Sequence, residues 1–297
     1  MQKYANQRNY FEYLESKALF VKKLRKIMGK FISFGKLFFV LFFIPIKCFT
    51  QEIKTPQPVQ PINTGRDTVA MNKAIRKLYT PDYLQLKNKL INTFPNAKPG
   101  KFGQFIKGVN EKLNTEKKVI AFTFDACGGA GSGYNSALID YLRNEKIPAT
   151  LFITGIWIDA NKKVFAQLSA DSLFEIENHG LYHRLCSVNG ATVYGILGTS
   201  NVGEVIDEME LNARKIERLT GRRPKFFRSA TAYTDETCTK IAAQLDMKIV
   251  SYDVLPGDAV PDTPARVLCD NILQNVKSGD IVIMHFNHPK WQEKQAM

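Results

Sequence analysis

The sequence is poor in the side chains that build cysteine-rich metal cages. Its 297 residues include four histidines and five cysteines, and no two cysteines have Cys-x-x-Cys spacing. Structural zinc cages usually contain such pairs, so the sequence argues against a cage of that kind. Four cysteines lie beyond residue 50, and their spacing does not determine a disulfide pairing.

Glycine motifs that bind phosphate are also missing. Gly128 and Gly133 have the spacing of a Walker loop, but no Lys-Ser or Lys-Thr pair follows them. The dinucleotide fingerprint fails as well, because no glycine stands at position 134 after Gly129 and Gly131. We interpret these glycines as a loop that gives access to Asp125.

Positive charge is abundant but is concentrated near the amino terminus. Of the formal net charge of +13, residues 1–50 contribute +8 and the other 247 residues only +5. A nucleic-acid-binding domain carries its basic residues on the folded part of the chain. We therefore expect no nucleic-acid partner.

The first 50 residues are typical of a leader. Several basic residues between positions 22 and 36 precede a ten-residue apolar run, residues 37–46, which is far shorter than the roughly 20 residues of a spanning helix. This layout predicts a signal peptide, with Met28 as an alternative start and cleavage near Thr50, or an uncleaved membrane anchor. We expect export to the periplasm, cell envelope or extracellular space, with membrane contact only through this leader.

Residues 51–115 are predicted to be a linker followed by a helical extension. Spaced prolines and polar residues over positions 51–65 indicate an extended linker. Apolar spacing from residue 66 to about 114 indicates helices, which Pro81, Pro95 and Pro99 break into short pieces. The main domain is predicted at residues 116–297.

In the main domain, strand-like apolar runs alternate with helical segments. The predicted strands are residues 119–124, 149–154, 173–176, 225–227, 248–252 and 280–284, and the predicted helices are 136–145, 203–219, 237–245 and 266–276. Gly221 is expected to end the second helix. This alternation predicts an α/β fold with a mostly parallel sheet, open or closed into a barrel.

Polar residues follow the ends of several predicted strands. They are Asp125, His179, Arg228, Asp253 and His285. In α/β barrels the reactive residues come from the carboxyl ends of several strands. We therefore predict that these side chains converge on one site.

The pair His179 and His183 is the strongest candidate for metal binding. Two histidines four residues apart lie on one face of a helix, where they can share a divalent cation. The alternative is a surface or core pair without a ligand. Asp125, before the glycine-rich turn, is a candidate general base or metal ligand, or else a helix cap.

Four further residues are candidates for chemistry or for structure. His285 is a candidate general acid and Arg228 a candidate carboxylate partner; a structural histidine and a surface ion pair are their alternatives. Asp253 and Asp258 could each orient a histidine or cap a turn. A structural role is favoured for His288.

From about Lys118 to Pro289 the sequence resembles the polysaccharide deacetylase (NodB-homology) family, carbohydrate esterase family 4. The matching motifs are Thr123-Phe124-Asp125, the His179 and His183 pair, Arg228, Tyr252-Asp253 with Asp258, and Ile283-Met284-His285. The resemblance implies a distorted (β/α) barrel after the helical extension. It also implies metal-dependent removal of N- or O-acetyl groups from a polysaccharide, such as peptidoglycan or an N-acetylglucosamine polymer.

The resemblance assigns roles by motif. Asp125 takes the position of the catalytic base, Arg228 holds that base, His285 is the acid, and Asp258 tunes the acid. A backbone N–H within residues 231–233 is expected to help stabilise the oxyanion.

The implied metal site departs from the family pattern. The resemblance implies a divalent metal, zinc with cobalt or nickel as alternatives, on His179 and His183. Ala126 stands where the family has an aspartate that binds metal. The candidates for a third ligand are Asp125, Asn178, Cys127 and Asn287.

Two other functions remain open on the sequence. Ala126 and Ala259, which replace family residues, favour a glycan-binding homologue with impaired catalysis. The other alternative is a metal-dependent amidase that acts on the peptide part of the cell wall.

Overall fold

A computed structural model describes residues 77–128, 132–260 and 263–287 of the protein. The predicted leader, the proline-spaced linker and His288 lie outside these residues. Within them, no helix has an apolar stretch long enough to cross a membrane.

A parallel sheet forms the centre of the fold. The strands are β1 (Phe102–Gly103), β2 (Val109–Asn110), β3 (Ala121–Ala126), β4 (Ala149–Ile153), β5 (Phe174–Asn178), β6 (Thr192–Val193), β7 (Ile196–Leu197), β8 (Phe226–Phe227), β9 (Thr234–Asp235), β10 (Lys248–Val250) and β11 (Ile281–His285). Seven of them pair in the order β11-β3-β4-β5-β8-β10-β2, every pair parallel.

The sheet curls until its two ends meet. Val254, just after β10, bridges Val282 of β11, and Lys112, just after β2, bridges Asp280. The main-chain amide of Ile283 also donates to the carbonyl of Val254. The prediction of a distorted (β/α) barrel is confirmed.

Helices cover the outside of the sheet. They are α1 (Pro81–Thr93), α2 (Ser136–Asn144), α3 (Gly155–Ala160), α4 (Lys162–Ser169), α5 (Val202–Ile206), α6 (Asn212–Thr220), α7 (Glu236–Gln244) and α8 (Ala265–Asn275). Side chains of Asn135, Thr154, Asn201 and Asp235 accept hydrogen bonds from the first-turn amides of α2, α3, α5 and α7, which is why these helices begin where they do.

The second predicted helix is interrupted. A π-helical turn, Asp207–Leu211, joins α5 to α6, and Gly221 ends α6 with a φ of 71°. The extra residue of a π turn changes which side chains face inward, and such turns are frequent at functional sites. Glu208 and Glu210 of this turn are each only 1% exposed.

The described part of the N-terminal extension packs onto the barrel. Helix α1 is present as predicted, and Tyr79, Tyr83 and Lys87 all donate hydrogen bonds to the carboxylate of Asp207 in the π turn. The prediction of helix as far as residue 114 is wrong. After Pro95 and Pro99 the chain instead forms β1, which pairs with β9, and β2, which is the edge strand beside β10.

Two apolar clusters fill the space between sheet and helices. One surrounds Trp157 and Phe286 and includes Phe124 and Ala126 of β3. The other surrounds Met209 and includes residues of α1, α5 and α7. The first cluster therefore packs against β3, the strand that contains Asp125.

Candidate active site

The ion pair between Asp125 and Arg228 lies at the centre of the barrel. Asp125 is part of β3, and Arg228 follows β8; Nη1 of the arginine donates to Oδ1 of the aspartate over 2.7 Å. The same Nη1 is 2.9 Å from Oγ1 of Thr123, and Nη2 donates to the carbonyl of Ser251 over 2.9 Å. The guanidinium also lies over the ring of Phe152, 4.1 Å from its centre. Asp125 is therefore not a helix cap, and Arg228 is not part of a surface ion pair.

The surroundings of Asp125 favour its ionised form. Burial by itself raises the pKa of this carboxyl group, but the charges of Arg228, His179 and His285 outweigh burial and bring the pKa below its ordinary value. Its second oxygen, Oδ2, lies 3.6 Å from Nε2 of His179. The carboxylate is thus fixed on one side by arginine and turned on the other side toward the histidines.

The two histidines lie in a loop, so the prediction that they share a helix face is wrong. His179 directly follows β5, and His183 has a left-handed backbone with a φ of 61°. Nδ1 of His179 is 2.8 Å from the carbonyl oxygen of Arg228, which makes Nδ1 the protonated nitrogen and leaves Nε2 free to bind. The rings nevertheless come together, with centres 4.9 Å apart.

Glu208 of the π turn shapes this loop, and no sequence motif pointed to it. Its carboxylate accepts the amides of Tyr182, over 3.0 and 3.1 Å, and Arg184, over 3.0 Å. Burial raises the pKa of Glu208 to about 7, against the effect of these amides. Gly180, with a φ of 88°, leaves room for it, since a Cβ there would lie 2.3 Å from Oε1 of Glu208.

Three donor atoms face one another beside Asp125. Sγ of Cys127 lies 3.1 Å from Nε2 of His183 and 3.8 Å from Nε2 of His179. All three atoms lie within 4.8 Å of one another. Two imidazoles and a thiol are a donor set suited to a zinc-type cation.

Both imidazoles of this cluster favour the neutral form that binds metals. Burial lowers the pKa of His179 despite the neighbouring charge of Asp125. Burial lowers the pKa of His183 to about 3. Burial also raises the pKa of the Cys127 thiol, with the charge of Asp125 acting in the same direction.

The two asparagines considered as ligands differ in their contacts. Oδ1 of Asn178 accepts hydrogen bonds from the amide of Gly180 and from Asn212, so this oxygen is engaged and Asn178 is wrong as a ligand. Nδ2 of Asn287 donates to the carbonyl of Cys127 over 2.9 Å. Asn287 therefore supports the backbone of the cysteine.

A second carboxylate–histidine pair lies at the end of β11. Nδ1 of His285 is 3.2 Å from Oδ2 of Asp258, which also accepts the main-chain amide of His285 over 2.6 Å. Burial lowers the pKa of His285, but the hydrogen bond and charge of Asp258 outweigh it, and the pKa is raised. Asp253 points elsewhere: it pairs with Lys112 over 2.9 Å and does not orient a histidine.

Two of the backbone amides that follow Arg228 donate hydrogen bonds within their own turn. The amides of Ala232 and Tyr233 donate to the carbonyls of Ser229 and Ala230, over 2.9 and 3.2 Å. Thr231 and Ala232 both have positive φ, 52° and 60°. In this arrangement two of the three amides expected to stabilise an oxyanion already have partners.

Part of the sequence that forms this site matches a known protein family. Residues 112–250 match the family model described as polysaccharide deacetylase. This part of the chain is similar to polysaccharide deacetylases. The deacetylase match contains Asp125, both histidines of the loop and Arg228, whereas Asp258 and His285 lie beyond its end.

The deacetylase relatives are distant. A peptidoglycan-N-acetylglucosamine deacetylase of Bacillus cereus is 27% identical over 180 residues, which are 60% of this chain and 76% of that protein. A peptidoglycan-N-acetylmuramic acid deacetylase of Bacillus subtilis is 22% identical over 199 residues, 64% of this chain and 70% of that protein.

A solved structure shows the same deacetylase fold. A carbohydrate esterase family 4 pseudoenzyme from Bacillus anthracis superposes with a TM-score of 0.51 at 20% identity. The superposition covers 64% of this chain and 63% of that one. At this identity the likeness establishes the fold alone.

Proposed function

We propose that this protein is a metal-dependent deacetylase that hydrolyses N-acetyl or O-acetyl groups of a cell-wall or extracellular polysaccharide. The observation that carries the proposal is the position of an ionised, arginine-bound aspartate 3.6 Å from one of two clustered histidines. A raised-pKa histidine lies close enough for its charge to act on that aspartate. Amide hydrolysis near neutral pH uses a base that stays ionised and an acid that stays protonated at the same site.

The side chains divide the proton transfers between them. Asp125 accepts a proton from the attacking water, and Arg228 keeps Asp125 ionised and in place. As the carbon–nitrogen bond of the acetamide breaks, His285 donates a proton to the leaving amine, and Asp258 holds His285 in the protonated form. A divalent cation on His179 and His183, when bound, would polarise the acetyl carbonyl.

Aromatic side chains near the site support a sugar polymer as the substrate class. Tyr233, five residues after Arg228, packs against Phe102 and Tyr194, with ring centres 5.5 and 6.5 Å away. Tyr194 is 81% exposed. An exposed ring with a polar hydroxyl suits ligands that have both apolar faces and hydroxyl edges. The relatives act on peptidoglycan by name, and we propose peptidoglycan or an N-acetylglucosamine polymer here.

We further propose that the protein acts outside the cytoplasm, because its first 50 residues have the layout of an export leader. A polysaccharide of the cell wall is accessible there.

The test measures acetate released by the full-length protein from N-acetylglucosamine oligomers and from peptidoglycan. We expect Asp125→Asn to lower turnover by about 10²–10⁴-fold, the usual contribution of a general base. Asp253→Asn is the matched control, since this carboxylate pairs with Lys112, and it should keep most activity. Near-normal acetate release by Asp125→Asn would contradict the proposal.

A glycan-binding homologue with impaired catalysis is the second candidate. Ala126 offers no ligand atom, and one similar structure is described as a pseudoenzyme. In that case the wild-type protein binds the oligomers but releases no acetate. Cleavage of muropeptides without acetate release would instead indicate an amidase.

A further inference from the structure

The direction of side chains along β3 determines which residue faces the histidines. Successive side chains of a strand point to opposite faces. Ala126 packs with Phe124 in the apolar cluster around Trp157. Asp125 lies on the opposite face, and Cys127, two residues later, returns to that face with its sulfur beside both imidazoles.

Asp125 and Asn178, two of the other candidate ligands, have oxygen atoms that are held by other protein groups. Oδ1 of Asp125 is held by Arg228 over 2.7 Å, and the carboxylate is outside the compact donor set. Oδ1 of Asn178 accepts two hydrogen bonds inside the protein. Among the described residues, Cys127 is the one whose ligand atom forms a compact group of three with the two histidines.

The two distances from the sulfur to the imidazole nitrogens fit coordination to one ion. With zinc–sulfur and zinc–nitrogen bonds of about 2.3 and 2.0–2.1 Å, a tetrahedral centre separates sulfur from nitrogen by about 3.6 Å. The sulfur of Cys127 lies 3.1 Å from one Nε2 and 3.8 Å from the other. These two distances lie on either side of the expected one, so small side-chain rotations suffice.

The backbone around the sulfur is held in place. The carbonyl of Cys127 accepts hydrogen bonds from Oγ of Ser132, over 2.6 Å, and from Nδ2 of Asn287, over 2.9 Å. A Cβ at Gly128 would lie 2.0 Å from the side chain of Ile156, so only glycine fits after the cysteine. Supporting contacts of this kind are what fix a ligand in binding geometry.

We propose that Cys127 releases its thiol proton to solvent when the metal binds and coordinates the metal as a thiolate, forming a site of one sulfur and two imidazole nitrogens with His179 and His183. The proposal rests on the metal dependence of the proposed function and deepens it. A single thiolate supplies one negative charge and leaves a coordination position for solvent or substrate, as catalytic zinc sites require. Because thiolate is a soft ligand, the site selects zinc or cobalt over magnesium, manganese or calcium.

The test is spectroscopic and uses the full-length protein loaded with zinc or cobalt. X-ray absorption at the zinc edge should show a sulfur neighbour at about 2.3 Å, and the cobalt form should show a thiolate-to-cobalt charge-transfer band. Cys127→Ser should lose both signals and bind zinc at least about 10-fold more weakly. Cys127→Asp should bind zinc through nitrogen and oxygen only. Cys238→Ser, on α7 and also a buried free cysteine, is the matched control and should keep both signals.

The outcomes separate this proposal from the proposed function. Nitrogen and oxygen neighbours alone in the wild-type protein, a sulfur signal that persists in Cys127→Ser, or no metal binding at all would overturn the thiolate ligand. A sulfur signal without acetate release would support the thiolate ligand and contradict the deacetylase activity. Acetate release by a protein whose metal has only nitrogen and oxygen neighbours would support the deacetylase activity and contradict the thiolate ligand.

Discussion

The buried ion pair of Arg228 and Asp125 predicts a large loss of stability when one partner is removed. Arg228→Met keeps an unbranched chain over the ring of Phe152 but leaves the carboxylate of Asp125 buried without its cation. Breaking a buried pair in this way costs roughly 3–5 kcal/mol. That is a large part of the roughly 5–15 kcal/mol that stabilises a typical domain. For a domain of about 150–250 residues it lowers Tm by roughly 6–20 °C.

The same reasoning predicts that the losses of stability caused by replacing Arg228 and Asp125 are not additive. Asp125→Asn alone leaves the guanidinium of Arg228 buried and without its anion. The double variant removes both charges together, and buried pairs replaced as a unit by uncharged groups are often near neutral in stability. We therefore expect the double variant to be at least about 2 kcal/mol more stable than the sum of the single changes predicts.

The measurement is urea unfolding followed by circular dichroism, with thermal unfolding as a second observable. Arg143→Met is the matched control, because Arg143 pairs with Asp171 over 2.7 Å while its side chain is 30% exposed. Such a partly exposed pair contributes about 1 kcal/mol or less. The reasoning is refuted if Arg228→Met is no more destabilising than the control, or if the double variant equals the sum.

Two further predictions concern the groups on either side of the pair. Asp258→Asn removes the hydrogen bond and charge that raise the pKa of His285, so the alkaline limb of the pH–rate profile for acetate release should move to lower pH; an unchanged limb would show that His285 is not the acid. Glu208→Ala leaves two amides of the histidine loop without their acceptor, which should cost about 2–4 kcal/mol and weaken zinc binding in a calorimetric titration. Glu217→Ala, on α6 at the surface and paired with Arg223, should leave zinc binding unchanged, and equal effects of the two variants would contradict the role of Glu208.

The convergence of polar residues was predictable because it depends on strand ends alone. Apolar runs ending in Asp125, Arg228 and His285 mark parallel strands, and the carboxyl ends of parallel strands meet at one end of a barrel. The structure shows Asp125 bound to Arg228 and His285 bound to Asp258. The catalytic roles of these residues stay predictions.

The geometry of the histidine pair was not predictable from spacing. A separation of four residues has the same appearance in a helix and in a loop, and the loop here depends on a left-handed backbone at His183. That backbone is stabilised by Glu208, 25 residues away along the chain in a helical turn with one extra residue. A local pattern contains no information about a distant buried acceptor. Three acidic residues within positions 207–210 of an otherwise amphipathic helix were the only signal.

The contacts of the π turn determine which fragments of the protein should be expressed. Asp207 receives the hydrogen bonds of Tyr79, Tyr83 and Lys87, and its neighbour Glu208 holds the histidine loop. Helix α1 therefore supports the loop that carries His183 through the π turn. A truncation to the matched residues 112–250 would delete helix α1, edge strand β2 and the strand that ends at His285. Recombinant fragments that begin before residue 77 and extend past residue 287 are the ones expected to keep the candidate site intact.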